Sequence, residues 1–366
     1  MLSKKIIFIT GNLTQPRVIK RIKAFKEQGF DICVYGFDRG TFQNVNVLSS
    51  DIPVECLGHL ENSQQYFKSL LLNRKKLLPI FRKYRNQDVW YYTFGFIPAL
   101  ITLLYSSKPF TYEISDLIYG YLKNGLLREG FRIIDKFIIR RSYLTVLTSQ
   151  GFYNYLFPKL NRKNVLVQPN KLESSFMDYR RVCSPISTDR IRFAFIGFLR
   201  YPNTVFRFAS IIGERYPQHS FSFYGDSNYR DDVSMLAKKY NNVFFYGKFR
   251  NPEDLPDIYE KVDIVVACYD TSTFNEKVAE PNKLYEALFF GKPIIVSEGT
   301  FLSHRVSEMF CGYEIDASND KNIVAFLNNL QVEDVNEKIR NIEKMDKSVM
   351  VDLSLIHISE PTRPLY

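Results

Sequence analysis

Tryptophan occurs once, at Trp90, and histidine only four times in the 366 residues. The five cysteines, Cys33, Cys56, Cys183, Cys268 and Cys311, stand singly, with no C-x-x-C pair and no histidine at ligand spacing. That scarcity argues against a zinc site or a disulfide framework and for reduced thiols in a cytoplasmic protein. Apolar runs are short. The longest, Phe94 to Tyr105, is broken by Pro98 and falls below the ~20 residues that a spanning helix needs. No signal peptide is expected, because Met1 to Lys5 leads straight into a strand-like run. No G-x-G-x-x-G follows that run: after Gly11 come Asn12, Leu13, Thr14, Gln15 and Pro16, which disfavours a dinucleotide-dependent dehydrogenase. No nucleic-acid motif accompanies the basic charge, so nucleic acid is not an expected partner.

What is present is unevenly charged. Residues 1–185 carry 28 Lys and Arg against 13 Asp and Glu, a net +15; residues 186–366 carry 21 against 26, a net −5. The basic half suits an anionic membrane surface or a pyrophosphate-linked acceptor, or is simply a solvated basic face. Its densest segment, Tyr66 to Arg85, interleaves Lys68, Arg74, Lys75, Lys76, Arg82, Lys83 and Arg85 with leucine, isoleucine and phenylalanine. This pattern is expected to lie on the inner face of a membrane without crossing it.

Strand and helix signals alternate at the spacing of βαβ units. They predict an α/β fold of two Rossmann-like domains facing a cleft, with ligands at the carboxyl ends of the strands. Residues 1–170 form the expected first domain, 171–190 a Ser- and Pro-containing linker, and 191–352 the second domain. The tail from Leu353 reads LSLIHISEPTR through Arg363, which resembles the translation of a transposase sequencing adaptor. Residues 353–366 are therefore set aside as a scar, and the natural chain is expected to continue past Asp352.

The run from Glu280 to Val296, EPNKLYEALFFGKPIIV, is the most informative. Pro281 suits the first helical turn, Gly291 the C-cap, and Pro293 the start of a strand. Leu284, Ala287 and Leu288 share one face; Asn282 and Glu286, four apart, share the other. The helix N-terminus offers N–H groups to a pyrophosphate, Lys283 adds a point charge, and the two oxygens of Glu286 can accept both hydroxyls of a ribose. An ordinary surface helix with solvated Lys and Glu fits the same residues.

This run resembles the donor-binding motif of GT-B glycosyltransferases, particularly the large retaining group called family 4. Glu286 matches the second Glu of that group's E-x7-E motif. Further likenesses are Gly11-Asn12 after the opening strand, the stretch Tyr112 to Asp116, Pro169-Asn170, and Gly197 with Arg200. The resemblance implies a UDP- or GDP-sugar as donor substrate, no separate cofactor, and a glycan or lipid-linked glycan as acceptor. It places Arg200 and Lys283 on the donor phosphates, and Glu286, Asn282, Glu280, Gly197, Gly11 and Asn12 around the donor. Asp116 and Glu113 are candidates to orient sugar or acceptor, with Asp116 equally suited to cap a helix.

The sequence departs from the pattern at several points. Val278 stands where the first Glu should be, flanked by Glu276 and Glu280. Arg200 is followed by Tyr201, Pro202 and Asn203 in place of a Lys, leaving Lys248, Arg250 or Lys283 to supply the second charge. Ser115-Asp116 replaces a common His. No two aspartates stand as D-x-D, the metal signature of the other main glycosyltransferase fold, so no metal site is expected. A nucleotide-sugar epimerase of the same architecture and a non-catalytic nucleotide-sugar-binding protein remain the alternatives.

Overall fold

The computed structural model describes residues 5–39, 48, 51–60, 66–122, 124–200 and 202–352, apart from the side chains of 66 and 67. The tail at 353–366 and Tyr201 lie outside the described residues. The chain divides into two compact units, the first ending at Pro169 and the second spanning Asn170–Asp352.

Unit 1 alternates β1 (Lys5–Thr10), α1 (Pro16–Glu27), β2 (Ile32–Asp38), β3 (Val54–His59), α2 (Tyr66–Lys83), β4 (Val89–Phe94), α3 (Phe96–Tyr105), β5 (Phe110–Ile114), α4 (Gly125–Arg141), β6 (Leu144–Leu147), α5 (Gln150–Leu156) and β7 (Val165–Val167). The strands form one sheet, ordered β3-β2-β1-β4-β5-β6-β7, with every neighbouring pair parallel. Strands covered on both faces read as unbroken apolar runs, and all six residues of β4, VWYYTF, are buried. Phe8, Phe25 and Tyr92 bind α1 to the sheet, with the Phe8 and Tyr92 rings stacked at 5.0 Å.

Unit 2 contains β8 (Arg192–Ile196), α6 (Asn203–Arg215), β9 (Ser220–Tyr224), α7 (Arg230–Lys239), β10 (Val243–Gly247), α8 (Leu255–Glu260), β11 (Ile264–Ala267), α9 (Phe274–Val278), α10 (Asn282–Phe289), β12 (Ile294–Ser297), α11 (Phe301–Glu308), β13 (Gly312–Ile315), α12 (Asp320–Asn329) and α13 (Val332–Glu343). Its parallel sheet runs β10-β9-β8-β11-β12-β13. Alternate residues of a strand point to opposite faces. Ala194 and Ile196 accordingly join a core with Leu284, Ala287 and Leu288 of α10, while Phe193 and Phe195 join a second core with Phe208 of α6.

The strand order reverses between β1 and β4 in unit 1 and between β8 and β11 in unit 2. In open parallel sheets, the loops leaving the carboxyl ends of such a strand pair diverge and leave room for a ligand.

The expected linker at 171–190 is instead packed into unit 2. Leu172 bridges to Val351, its N–H reaching Met350 while its carbonyl accepts from Asp352. Phe176 packs edge-on against Phe289. The Arg181 guanidinium donates to the carbonyls of Leu288, Phe289, Ile342 and Met345. Sparse anchors hold a segment whose Ser and Pro residues erase any periodicity. Pro281 is also displaced from its expected place: it stands at the N-cap of α10, one residue before the first turn.

Candidate functional site

In unit 2 the reversal brings together the loop after β8, which begins at Gly197, and the loop after β11, which begins at Cys268. Gly197 has φ +117°, a region that L side chains rarely adopt. Its N–H donates to Tyr224, and the N–H of Gly225 donates to Gly247, so three strand ends are stitched in series. A Cβ on Gly225 would lie 2.1 Å from the carbonyl oxygen of Gly197. Gly225 was not singled out in the sequence; the Gly-Asp pair ending a strand was its only signal.

Lys283, in the first turn of α10, reaches this loop. Its ammonium lies 3.0 Å from where a Gly197 Cβ would stand. It sits over the Phe195 ring at 4.6 Å and the Tyr269 ring at 5.6 Å, and the residue is 7% exposed. Among the described residues no carboxylate lies within 4.0 Å of it. A cation buried over aromatic faces beside a glycine loop is arranged to receive an anion. Two other sources of charge, by contrast, are already paired: Lys248 with Asp226 and Arg250 with Asp254. Arg200 is exposed in the loop after β8.

Glu286 follows one turn later. It is 5% exposed, so it is buried, and not displayed on an open polar face as the helical pattern suggested. The Tyr259 hydroxyl donates to Oε2 at 3.2 Å and the half-buried Asn282 amide to Oε1 at 2.8 Å. Burial pushes its carboxyl above the usual range, against the opposing pull of Lys283 and of hydrogen bonds from Tyr259, Asn251 and Asn282. A carboxylate offers about four lone-pair sites, so these three donors leave acceptor capacity for a further hydroxyl.

Around the Val278 departure the two flanking acids differ. Glu280 is tied down, accepting from the Tyr285 hydroxyl at 2.5 Å and from Arg305 at 3.4 Å. Through Oε1 it therefore ties α10 to α11. Glu276 uses Oε2 to hold the Thr273 N–H at 2.8 Å, while its buried Oε1 has no hydrogen-bond partner. Each acid thus keeps one carboxylate oxygen that accepts no hydrogen bond among the described residues, buried in the case of Glu276.

In unit 1, Glu113 is corrected. It is fully buried in β5, where Arg17, Arg21 and Tyr92 all donate to its carboxylate. Burial favours the neutral acid, but the two guanidiniums outweigh it and hold the carboxyl below its ordinary value. This cluster fastens α1 to the sheet and leaves no oxygen for a ligand. Asp116 is exposed just beyond β5; the next helical turn takes Leu117, not Asp116, as its N-cap. Gly11 and Asn12 occupy a turn after β1, where Asn12 Oδ1 accepts from the N–H and hydroxyl of Thr14. Arg39, missed in the sequence, donates to the Gly11 carbonyl at 2.9 Å from the end of β2.

Residues 182–347, nearly all of unit 2, match the family model described as glycosyl transferases group 1. TuaH of Bacillus subtilis, described as a glycosyltransferase of teichuronic acid biosynthesis, is 28% identical over 56% of this chain and 54% of its own. The succinoglycan biosynthesis protein ExoL of Rhizobium meliloti is 22% identical over 60% and 57%. The chain thus spans a little over half the length of these relatives. Anabaena HepE, solved with UDP, superposes with a TM-score of 0.66 at 15% identity, over 97% of both chains. Sucrose-phosphate synthase of Thermosynechococcus elongatus does so at 0.72 and 14%, over 98% of both. The chain has the GT-B fold, and most of its second unit, residues 182–347, is similar to the glycosyl transferases group 1 family.

Proposed function

We propose that the protein transfers a sugar from a UDP- or GDP-sugar to a glycan or lipid-linked glycan acceptor, with retention at the anomeric carbon and without a metal. The observation that carries this reading is the buried Lys283 ammonium, held beside Gly197 over the Phe195 and Tyr269 rings, with no carboxylate within 4.0 Å among the described residues. A diphosphate supplies the missing charge. The N-terminal N–H groups of α10 and the exposed Arg200 add to the same field, which gains strength as negative charge develops on the departing phosphate. Glu286 accepts a ribose hydroxyl, and Asp116 is the remaining carboxylate of unit 1 proposed to orient sugar or acceptor.

In this reaction the bond between anomeric carbon and phosphate oxygen breaks, and a bond from the acceptor oxygen forms on the same face. The acceptor proton passes to the leaving phosphate oxygen, so no second carboxylate is required.

The test incubates the protein with UDP- and GDP-sugars, with and without candidate glycan acceptors, in EDTA. Acceptor-dependent nucleoside diphosphate release, with the donor's anomeric configuration kept in the product by NMR, is expected. An isomerised nucleotide sugar formed without acceptor would make the protein an epimerase. Tight donor binding without turnover would make it a binding protein.

A further inference from the structure

Helix α4 is apolar on both sides. Its inner side is fixed in unit 1 by Ile138 and Ile139, both 0% exposed, and by Asp135, which accepts from the hydroxyls of Tyr112 at 2.8 Å and Tyr119 at 2.9 Å. Its outer side is more unusual. Leu126 is 86% exposed, Leu127 56%, Ile133 67%, Ile134 41% and Phe137 48%. At 100° per residue these five fall within one arc of about 120°. Scattered exposed leucines need no explanation, but a continuous apolar helix face does.

The rim of this face is basic. Lys136 and Arg140 follow one flank and Arg141 closes the C-terminal end, lying over the Phe137 ring at 5.5 Å, while Arg128 and Arg132 are half-buried away from this face, Arg132 over the Tyr155 ring. The helix has two acids. Asp135 is buried inward, and Glu129 is paired with Arg132. Helix α2, the segment that the sequence favoured for this role, is built the other way. Its Leu77, Ile80 and Phe81 are buried, and Leu71 is its one exposed large apolar residue among the described side chains. The basic residues of α2 form a solvated rim with little apolar surface to insert.

We propose that the outer face of α4 docks unit 1 on an anionic lipid surface, with Leu126, Ile133 and Phe137 in the headgroup boundary and Arg140 and Arg141 on lipid phosphates. Charge decides between a bilayer and a second copy of the chain. The half that carries this face has 28 basic against 13 acidic residues; self-association would set like charge against like, whereas an anionic bilayer complements it.

The test is flotation of the full chain with vesicles of phosphatidylcholine alone or of equal parts phosphatidylcholine and phosphatidylglycerol. Binding to the mixed vesicles that weakens with salt is expected. Substituting Ile133→Ser with Phe137→Ser should abolish it, and Arg140→Gln with Arg141→Gln should weaken it about 30-fold. Because all four side chains are exposed, the variants should melt as the parent does, and Leu77→Ser on α2 should lower stability instead. Absence of binding to mixed vesicles at low salt, or binding indifferent to I133S/F137S, overturns the proposal. So does a concentration-dependent dimer, seen by light scattering, that the same pair of substitutions disperses.

Discussion

The carbonyl of Gly197 occupies the space that a Cβ on Gly225 would need, the two being 2.1 Å apart. The ends of β8 and β9 can approach this closely because neither residue has a side chain, and Gly225 also has φ +128°. The chain spends this freedom at the strand ends that border Lys283. Gly225→Ala should therefore cost about 1–3 kcal/mol in backbone strain and displacement, and lower UDP affinity because the Gly197 loop must move. Urea unfolding with calorimetric titration measures both. A variant with parental stability and affinity would show that the loops tolerate separation.

Lys283→Ala should weaken binding of UDP far more than binding of uridine. A charged hydrogen bond is worth about 1.5–3 kcal/mol, so the loss for UDP should be roughly 10- to 150-fold. The comparison isolates the diphosphate from the nucleoside. Equal losses for the two ligands would move Lys283 off the phosphates.

For Glu286 the structure changes what substitution should do. Because the carboxylate is buried and holds Tyr259 and Asn282, Glu286→Ala should reduce stability by about 1–3 kcal/mol as well as nucleotide affinity. Glu286→Gln keeps the side-chain volume and one acceptor oxygen, and should recover most of the stability while nucleotide affinity stays low. If the Gln variant bound nucleotide as the parent does, ribose recognition would lie elsewhere.

Asp135 provides a pH signature. Burial pushes its carboxyl from 3.8 to about 6, against the hydrogen bonds from Tyr112 and Tyr119. The folded state thus holds the proton more tightly than the unfolded one. That contribution to stability is complete below 3.8 and is lost as pH rises through about 6. Relative to Asp135→Asn, the parent should lose up to about 3 kcal/mol across this window. Parallel stability–pH curves for the two proteins would place the carboxyl in a solvent-like environment.

Both sheets were legible in the sequence because parallel strands buried on two faces are unbroken apolar runs, as in KIIFIT of β1. Strands β3 and β13 were not, since five of six residues in β3 and three of four in β13 are exposed or half-buried, and an edge strand with little burial carries no pattern. Helix α7 buries only Val233 and was lost for the same reason. At the site, Lys283 and Gly197 could be read from their places in the run after β11 and at the end of β8. Which acids are already committed could not, because Arg17 and Arg21 lie more than ninety residues from Glu113 in sequence, and Arg305 lies 25 from Glu280. Local spacing identifies a carboxylate, whereas long-range pairing decides whether it is available.

The bridge between Leu172 and Val351 has a consequence for how unit 2 can be handled. Its chain begins and finishes at adjoining points, with Leu172 donating to Met350 and accepting from Asp352. Topologically the unit is a closed loop secured by a short two-stranded clasp. A fragment cut at Asn170 and Asp352 keeps the clasp and both cores. One started at Ile191 loses it, together with Phe176 against Phe289 and the four carbonyl contacts of Arg181. The clasp also places the two ends close enough to be joined by a few residues, so new termini could be opened at an exposed loop without unthreading the sheet.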